Sequence, residues 1–409
     1  MKPLAEVQAA ILGAVPRLEP IEAGLADALG LVLAERVTAP EAVPPFPNTA
    51  MDGYAVQAID TSGASEEHPV RLQVVGELAA GHAPTIAVGS GQAIRIMTGA
   101  PMPEGADSIV MVERTARDGD DGVIVTLEVE PGRHVRRAGG DLEAGDVVFE
   151  PGEVLTAARV GVLATVDARR VRAYPRARVG VLSTGDELVE SGPLAPGKIR
   201  DSNRPMLLAQ LADAGAVALD LGSAHDDEVL MTATLRDAVE RCDAVITSGG
   251  VSVGDFDYVS AALERIVADD PSGDSGVDWY QVAIKPAKPL CFAMVQGTPV
   301  FGLPGNPVSS FVSFELFARP ALRQMMGHAQ VSRPLVRATA ADAMPRKIDG
   351  KLHLDRVVVD VVDGRYVAAA VRSQESNALA ASAAANALAL VPDGEGVAAG
   401  DDITVMLLD

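Results

Sequence analysis

The residues best suited to chemistry stand in short runs of glycine, small hydroxyls and carboxylates directly after apolar segments. Residues 179–183 (VGVLS) lead into Thr184-Gly185-Asp186-Glu187, and residues 244–248 (AVITS) into Gly249-Gly250-Val251-Ser252-Val253-Gly254-Asp255-Phe256-Asp257. Glycine lets backbone N–H groups approach a phosphate, and small hydroxyls add donors. Neither run carries the Lys-Ser/Thr of a Walker A loop or the spacing of a dinucleotide fingerprint. The carboxylates Glu187, Asp226, Asp227, Asp255 and Asp257 repel an anion directly, but suit Mg²⁺ bridging them to one, or hydrogen bonds from a base or pterin ring. Asp226 or Asp227 taken alone reads equally as a helix cap.

Two further runs supply positive charge. Lys285-Pro286-Ala287-Lys288-Pro289 holds two ammonium groups in a turn stiffened by proline, so less entropy is lost on binding. That pattern fits an oxyanion cradle and a solvated turn equally. In GLPGNPVSSFVSFELF, Asn306 suits a cap, Pro307 the first helical position, and Ser309 the unpaired N–H groups of the first turn, where anions are favoured. Outside this region, Thr49-Ala50-Met51-Asp52-Gly53-Tyr54 follows a proline-rich strap at residues 39–49, and Arg95-Ile96-Met97-Thr98-Gly99-Ala100 follows a short strand.

The positioning elements follow from periodicity. Residues 176–327 alternate continuous apolar strands with helical patterns, which predicts a parallel, doubly wound α/β sheet whose ligands bind beyond the carboxyl ends of the strands. Asp201, Ser202 and Asn203 read as caps for a helix with Pro205 in its first turn. Residues 50–136 show short apolar runs divided by Gly, Pro and Asp, predicting a mainly β module. Residues 3–38 read as two short helices, the second at 24–37, and residues 138–152 as a Gly/Asp-rich hairpin before a helix near Leu155. An acidic, Gly/Ser-rich stretch at 268–278 reads as a mobile surface loop. After Gly327 the pattern returns to β, with an Asp-Gly hairpin cue between 354–362 and 365–371. Residues 378–391 remain open between helix and strand.

At 409 residues the chain requires two to four domains. Its formal charge of −22 argues against a nucleic-acid or anionic-membrane surface. The two cysteines, Cys242 and Cys291, form no CxxC pair and read as buried thiols. The N-terminus reads as an amphipathic helix rather than a signal peptide, and no apolar run reaches about 18 residues, so a cytoplasmic protein is expected.

In order along the chain, PPFPNTAMDGYAV, IRIMTGAPMPEGADSIVMVE, LSTGDELV, ITSGGVSVGDFDYV, AIKPAKP and VFGLPGNPVSSFVSFELF together resemble the MoeA family, also represented by the E domain of gephyrin and its plant counterpart. The resemblance implies a multidomain α/β plus β fold in four regions: an elongated N-terminal and linker region (1–45 and 137–170), a mainly β domain with the MDGY and TGAP motifs (46–136), a MogA-like doubly wound α/β domain (171–327) and a C-terminal β domain (328–409). It implies a homodimer that inserts molybdenum from molybdate into adenylylated molybdopterin, releasing AMP with Mg²⁺ assisting. It also implies transient contact with a MogA-type adenylyltransferase and with cofactor-accepting enzymes. Carried over by motif, the catalytic set is Asp52, Thr98, Asp141, Glu187, Asp257, Lys285 and Lys288, with Glu187 and Asp257 toward the metal. Substrate binding falls to Gly249, Gly250, Ser252, Asp226 or Asp227, and a molybdate pocket of Lys288, Ser309, Arg356 and Ser376. Three positions depart from the pattern: Gln281 replaces a basic residue, Glu375 replaces glycine before Ser376, and the 268–278 loop is longer. Rival readings are adenylyl transfer to the pterin, a non-catalytic scaffold, and a tungstate-selective relative.

Overall fold

The computed structural model describes residues 1–224, 227–249 and 258–408. Two compact units divide the chain. One comprises residues 1–34, 152–156 and 172–409; the other comprises 35–151 and 157–171.

The first unit is built on a six-stranded sheet in the order Val217–Ala224, Arg178–Thr184, Ala244–Ser248, Thr298–Leu303, Pro289–Val295, Gly276–Gln281. The first four strands run parallel; Pro289–Val295 pairs antiparallel with the fourth, and Gly276–Gln281 antiparallel with Pro289–Val295. Successive side chains of a strand alternate faces, and the sheet buries both. Ala244 and Ile246 join a core with Leu207 and Leu211 of the Asn203–Asp213 helix, while Val245 joins another with Leu235 and Leu263 on the opposite side. This arrangement is the doubly wound sheet expected from the sequence, extended by an antiparallel edge. The turns at Thr184-Gly185 and Ser248-Gly249 therefore lie at the carboxyl edge, as expected.

A second sheet of the same unit joins Leu335–Ala340, Leu352–Val362, Arg365–Ala370, Ala387–Val391 and Asp402–Leu407, closed by pairing of the 352–362 and 387–391 strands. Its hairpin turns at Asp363-Gly364, both residues at positive φ (49° and 76°), which only an Asp-Gly type of pair adopts readily. The open stretch 378–391 resolves into both forms, a turn of helix at Leu379–Ser382 and then the strand. Helix Leu4–Ala14 packs Val7 and Ile11 into the α/β core.

Three local expectations are corrected. Residues 24–37 are not helical: Gly30 takes φ +80°, and buried Val32 and Leu33 pair with Tyr174 and Ala173. Tertiary pairing overrides the helical spacing there. Residues 138–152 do not pair with one another; Val147 and Phe149 pair with Thr38 and Val37 instead. The 268–278 stretch is short as a loop, because the edge strand begins at Gly276, and Asp270 gathers Ser272 and Ser275 around its carboxylate.

In the second unit, Gly53–Val56 lies inside a six-stranded sheet between Ser108–Met111 and Gln92–Ile96. A methyl group on Gly53 would sit 2.1 Å from the Val110 carbonyl oxygen, so this strand packs as it does only with glycine there. Among the described residues no helix is long and apolar enough to cross a membrane.

Candidate active site

Three successive parallel strands end together, and their turns enclose a cleft of about 680 Å³. Thr184, Gly185 and Glu187 come from the first, Ser248 and Gly249 from the second, and Pro304, Gly305, Asn306 and Pro307 from the third. Ile199–Asn203, Tyr258, Pro289 and Asn377 complete the wall. Glycine is demanded at the crowded floor. Gly249 has φ +94°, and a Cβ there would lie 2.8 Å from the Thr184 Oγ1; its N–H donates to the Leu303 carbonyl at 3.0 Å. At Gly185, with φ +135°, a Cβ would collide with the Glu187 carboxylate, which therefore folds over the turn into the cleft wall.

Charge around the cleft is sorted. Arg204, nearly buried, pairs with Asp201 (3.2 Å), Asp220 (2.7 Å) and Glu190. Burial penalises its guanidinium, but the bonds to Asp220 and Glu190 outweigh that penalty and raise its pKa. Asp201 also accepts from the Arg204 N–H at 3.1 Å, so Asp201 caps the helix. Ser202 and Asn203, expected as caps, make no such bond. Asn203 instead sends its side-chain nitrogen to the Ser248 hydroxyl at 2.8 Å and the Gly305 carbonyl at 2.7 Å.

Beside the cleft, the LPGNP turn starts a helix at Pro307–Ser313, continued through a π-type segment, Phe314–Ala318, into Arg319–Met325. The Val308 N–H of its first turn donates to the Ser376 carbonyl at 3.2 Å. Arg356, 1% exposed, donates to the carbonyls of Ser373 and Glu375, each at 3.1 Å, and its Nε has no partner among the described residues. Burial pushes this guanidinium's pKa down against the pull of Asp355 and Glu375. Lys285 belongs to a two-residue strand pairing with Leu352 and His353 of the closed sheet, whereas Pro289 begins a strand of the α/β sheet. The two lysines are exposed, and neither is in an ion pair among the described residues. Ser309, Ser376 and Arg356 are thus linked through the helix start and the 373–376 loop. The immediate neighbours of Lys288 and Ser376 line the cleft.

Asp227 caps the Glu228–Arg241 helix by accepting from the Leu230 N–H at 2.8 Å, and it is not among the residues lining the cleft. Asp226, Gly250, Ser252, Asp255 and Asp257 lie outside the described residues. In the second unit the structure pairs two of the expected residues: Asp52 accepts from both the N–H and the hydroxyl of Thr98, each at 2.7 Å. Those two bonds lower the Asp52 pKa, with Arg95 adding to the effect. Asp141 is exposed, and its N–H donates to the Val43 carbonyl at 2.9 Å; among the described residues no hydrogen bond ties it to the Asp52 pair. Sequence reasoning missed Asn203 and Ser248 as site residues. The available signal was that Asp201 already supplies a cap, leaving Asn203 free for another task.

Comparison with known proteins bears on this arrangement directly. Residues 2–166 match the MoeA N-terminal region (domain I and II), 180–324 a probable molybdopterin binding domain, and 337–408 the MoeA C-terminal region (domain IV). A molybdopterin molybdenumtransferase 2 of Mycobacterium tuberculosis is 41% identical over 409 residues, covering 99% of each chain. The chain belongs to the MoeA family. A Bacillus subtilis molybdopterin molybdenumtransferase is 35% identical, over 94% of this chain and 89% of its own. A MoeA protein from Pyrococcus horikosii, described as a molybdopterin biosynthesis protein, superposes with a TM-score of 0.81 at 29% identity, over 100% and 99% of the two chains. The multidomain α/β plus β fold expected of a MoeA chain is therefore the one observed.

The donor set also bears on magnesium. Among the described residues no group of three His, Cys, Asp or Glu side chains is placed to hold a metal ion by itself. Mg²⁺ commonly uses one or two carboxylates, completing its shell with water and substrate phosphates, and Glu187 at the cleft wall fits that role.

Proposed function

We infer that this MoeA-family chain is a molybdopterin molybdenumtransferase, inserting molybdenum from molybdate into adenylylated molybdopterin with release of AMP. The observation that supports this reading is that the glycine turns at one sheet edge line a cleft together with the Pro304–Pro307 turn that starts the next helix. Close-packed glycine turns at 184–185 and 248–249 offer backbone approach to a phosphate-bearing ligand. Adjacent to them, Arg356 and the Pro307 helix start fit a small oxyanion.

In the proposed mechanism the glycine turns bind the phosphates, and Lys288, Ser309, Arg356 and Ser376 hold molybdate beside the dithiolate. Lys285 offsets charge developing on the leaving AMP phosphate. Magnesium, held by Glu187 and Asp257, would neutralise phosphate charge when bound. Asp52, Thr98 and Asp141 contribute in a homodimer, serving the cleft of a partner copy. The four-region division, cytoplasmic location, receipt of substrate from a MogA-type adenylyltransferase and delivery to cofactor-accepting enzymes belong to the same proposal.

The test incubates the protein with adenylylated molybdopterin, Mg²⁺ and either molybdate or tungstate, following AMP and reconstituted cofactor. AMP release on molybdate addition, without ATP, is expected; ATP consumption with pyrophosphate formation would instead identify an adenylyltransferase. Asp257→Asn is expected to fold normally and retain adenylylated pterin, and wild-type turnover in that variant would remove Asp257 from the mechanism.

A further inference from the structure

Asn203 and Ser248 occupy the floor of the cleft, 8% and 3% exposed respectively. The orientation of the Asn203 amide follows from its partners. A carbonyl oxygen can only accept, so the atom 2.7 Å from the Gly305 carbonyl is the amide nitrogen. The same nitrogen has one hydrogen left, directed at the Ser248 Oγ 2.8 Å away. That bond occupies a lone pair of the serine oxygen and leaves its own hydrogen to be donated elsewhere. Among the described residues no acceptor takes it. The Thr184 hydroxyl reaches the Ser248 carbonyl, not its side chain. A hydroxyl that accepts one bond from beneath, and which lines a cleft, has its proton available to a ligand there.

We propose that Ser248 is a substrate-binding donor to a phosphate oxygen of the adenylylated pterin, and that Asn203 is a positioning residue that fixes Ser248 in its donating orientation. This rests on the functional reading above and deepens it by naming a contact to the phosphate class of ligand. The same amide ties the Ser248 and Gly305 turns to the start of the Asn203–Asp213 helix, so three loops from three adjacent strands keep one spacing. Among the described residues its own oxygen has no hydrogen-bond partner.

The experiment measures AMP release against adenylylated molybdopterin at saturating molybdate for wild type, Ser248→Ala, Asn203→Ala and the double variant, with melting temperatures alongside. A charge-assisted bond corresponds to roughly a tenfold or greater rise in KM. Ser248→Ala is expected to show that rise with kcat within about twofold of wild type and an unchanged melting temperature. Asn203→Ala is expected to raise KM similarly, and the double variant no further, because one residue acts through the other. A KM for Ser248→Ala within about twofold of wild type would overturn the proposal, as would a double variant whose KM rise is the product of the single ones. If Asn203→Ala fails to fold, the Ser248→Ala arm decides alone. A wild type that releases no AMP sinks the functional reading instead. Calorimetric titration with AMP then reads the donor by itself: binding about tenfold weaker in Ser248→Ala supports it, and equal or absent binding in both proteins overturns it.

Discussion

Replacing Arg356 by methionine separates anion binding from folding. The residue is 1% exposed and its guanidinium gives two hydrogen bonds of 3.1 Å, to the carbonyls of Ser373 and Glu375, while its Nε has no partner among the described residues. Losing bonds from a charged donor costs about 1.5–3 kcal/mol. Removing a buried, partly unsatisfied charge returns about 1–3 kcal/mol, and methionine fills much of the same volume. The two released carbonyls belong to a loop that is partly open to water, so they can be solvated. The folding terms nearly cancel, and the melting temperature is expected to move by only a few degrees, on the order of 2–4 °C per kcal/mol. Nothing offsets the loss of a charge-assisted contact to molybdate, worth about 1.5–3 kcal/mol, or roughly ten- to a hundredfold in affinity. The assay is cofactor formation titrated with molybdate at fixed adenylylated pterin. A variant that half-saturates at the wild-type concentration would refute the pocket assignment, and one that melts far below wild type would refute the cancellation.

Glu375→Gly is expected to lower the molybdate requirement by about two- to threefold, since an exposed charge beside Arg356 is largely screened; an unchanged or raised requirement in the same titration counts against this. His328 is held neutral by burial and by Arg323 and Arg319, which lower its pKa from 6.5 to about 4. Its unfolded form takes up a proton first, so its stability contribution is complete above about pH 6.5 and lost as pH falls through about 4. With screening this amounts to on the order of 1–2 kcal/mol, and His328→Gln should flatten melting-temperature profiles over that window. Gly53→Ala places a methyl group 2.1 Å from the Val110 carbonyl and should destabilise the 53–125 sheet by about 1–3 kcal/mol or more, read as an earlier melting transition.

Much of the α/β architecture was legible because its signals are local. Continuous apolar runs such as AVITS can be buried on both faces only in a covered parallel sheet, and Asp363-Gly364 states its turn in two residues. Pairings between distant segments were not legible. Residues 24–37 carry leucines at helical spacing, yet Val32 and Leu33 found partners about 140 positions away. The 138–152 stretch likewise pairs with Val37 and Thr38 rather than with itself. In the candidate site, motifs located the glycine turns, the Asp52–Thr98 pair and the helix start at Pro307. The Asn203–Ser248 bond spans 45 positions and involves residue types whose commonest roles are caps and strand ends, so no local pattern distinguished it. Arg356 was reached only through the family resemblance, because its burial depends on the 373–375 loop that folds over it.

The Lys285–Pro289 turn has a consequence for how the protein can be taken apart. Its first residue is stitched to the closed C-terminal sheet, and its last opens a strand of the α/β sheet four positions later. The two ammonium groups are therefore suspended between two frameworks and anchored fully by neither. Shortening the chain after Gly327, or grafting a foreign C-terminal module there, would leave every residue of the turn in place and remove half of what aims it. A chimera could keep the α/β fold, its cleft and its glycine turns, and still present its lysines at the wrong angle. The C-terminal sheet thus acts on the site as a fixed jig at arm's length, and homologous modules should be exchangeable only together with the Ile284–Lys285 segment that pairs with them.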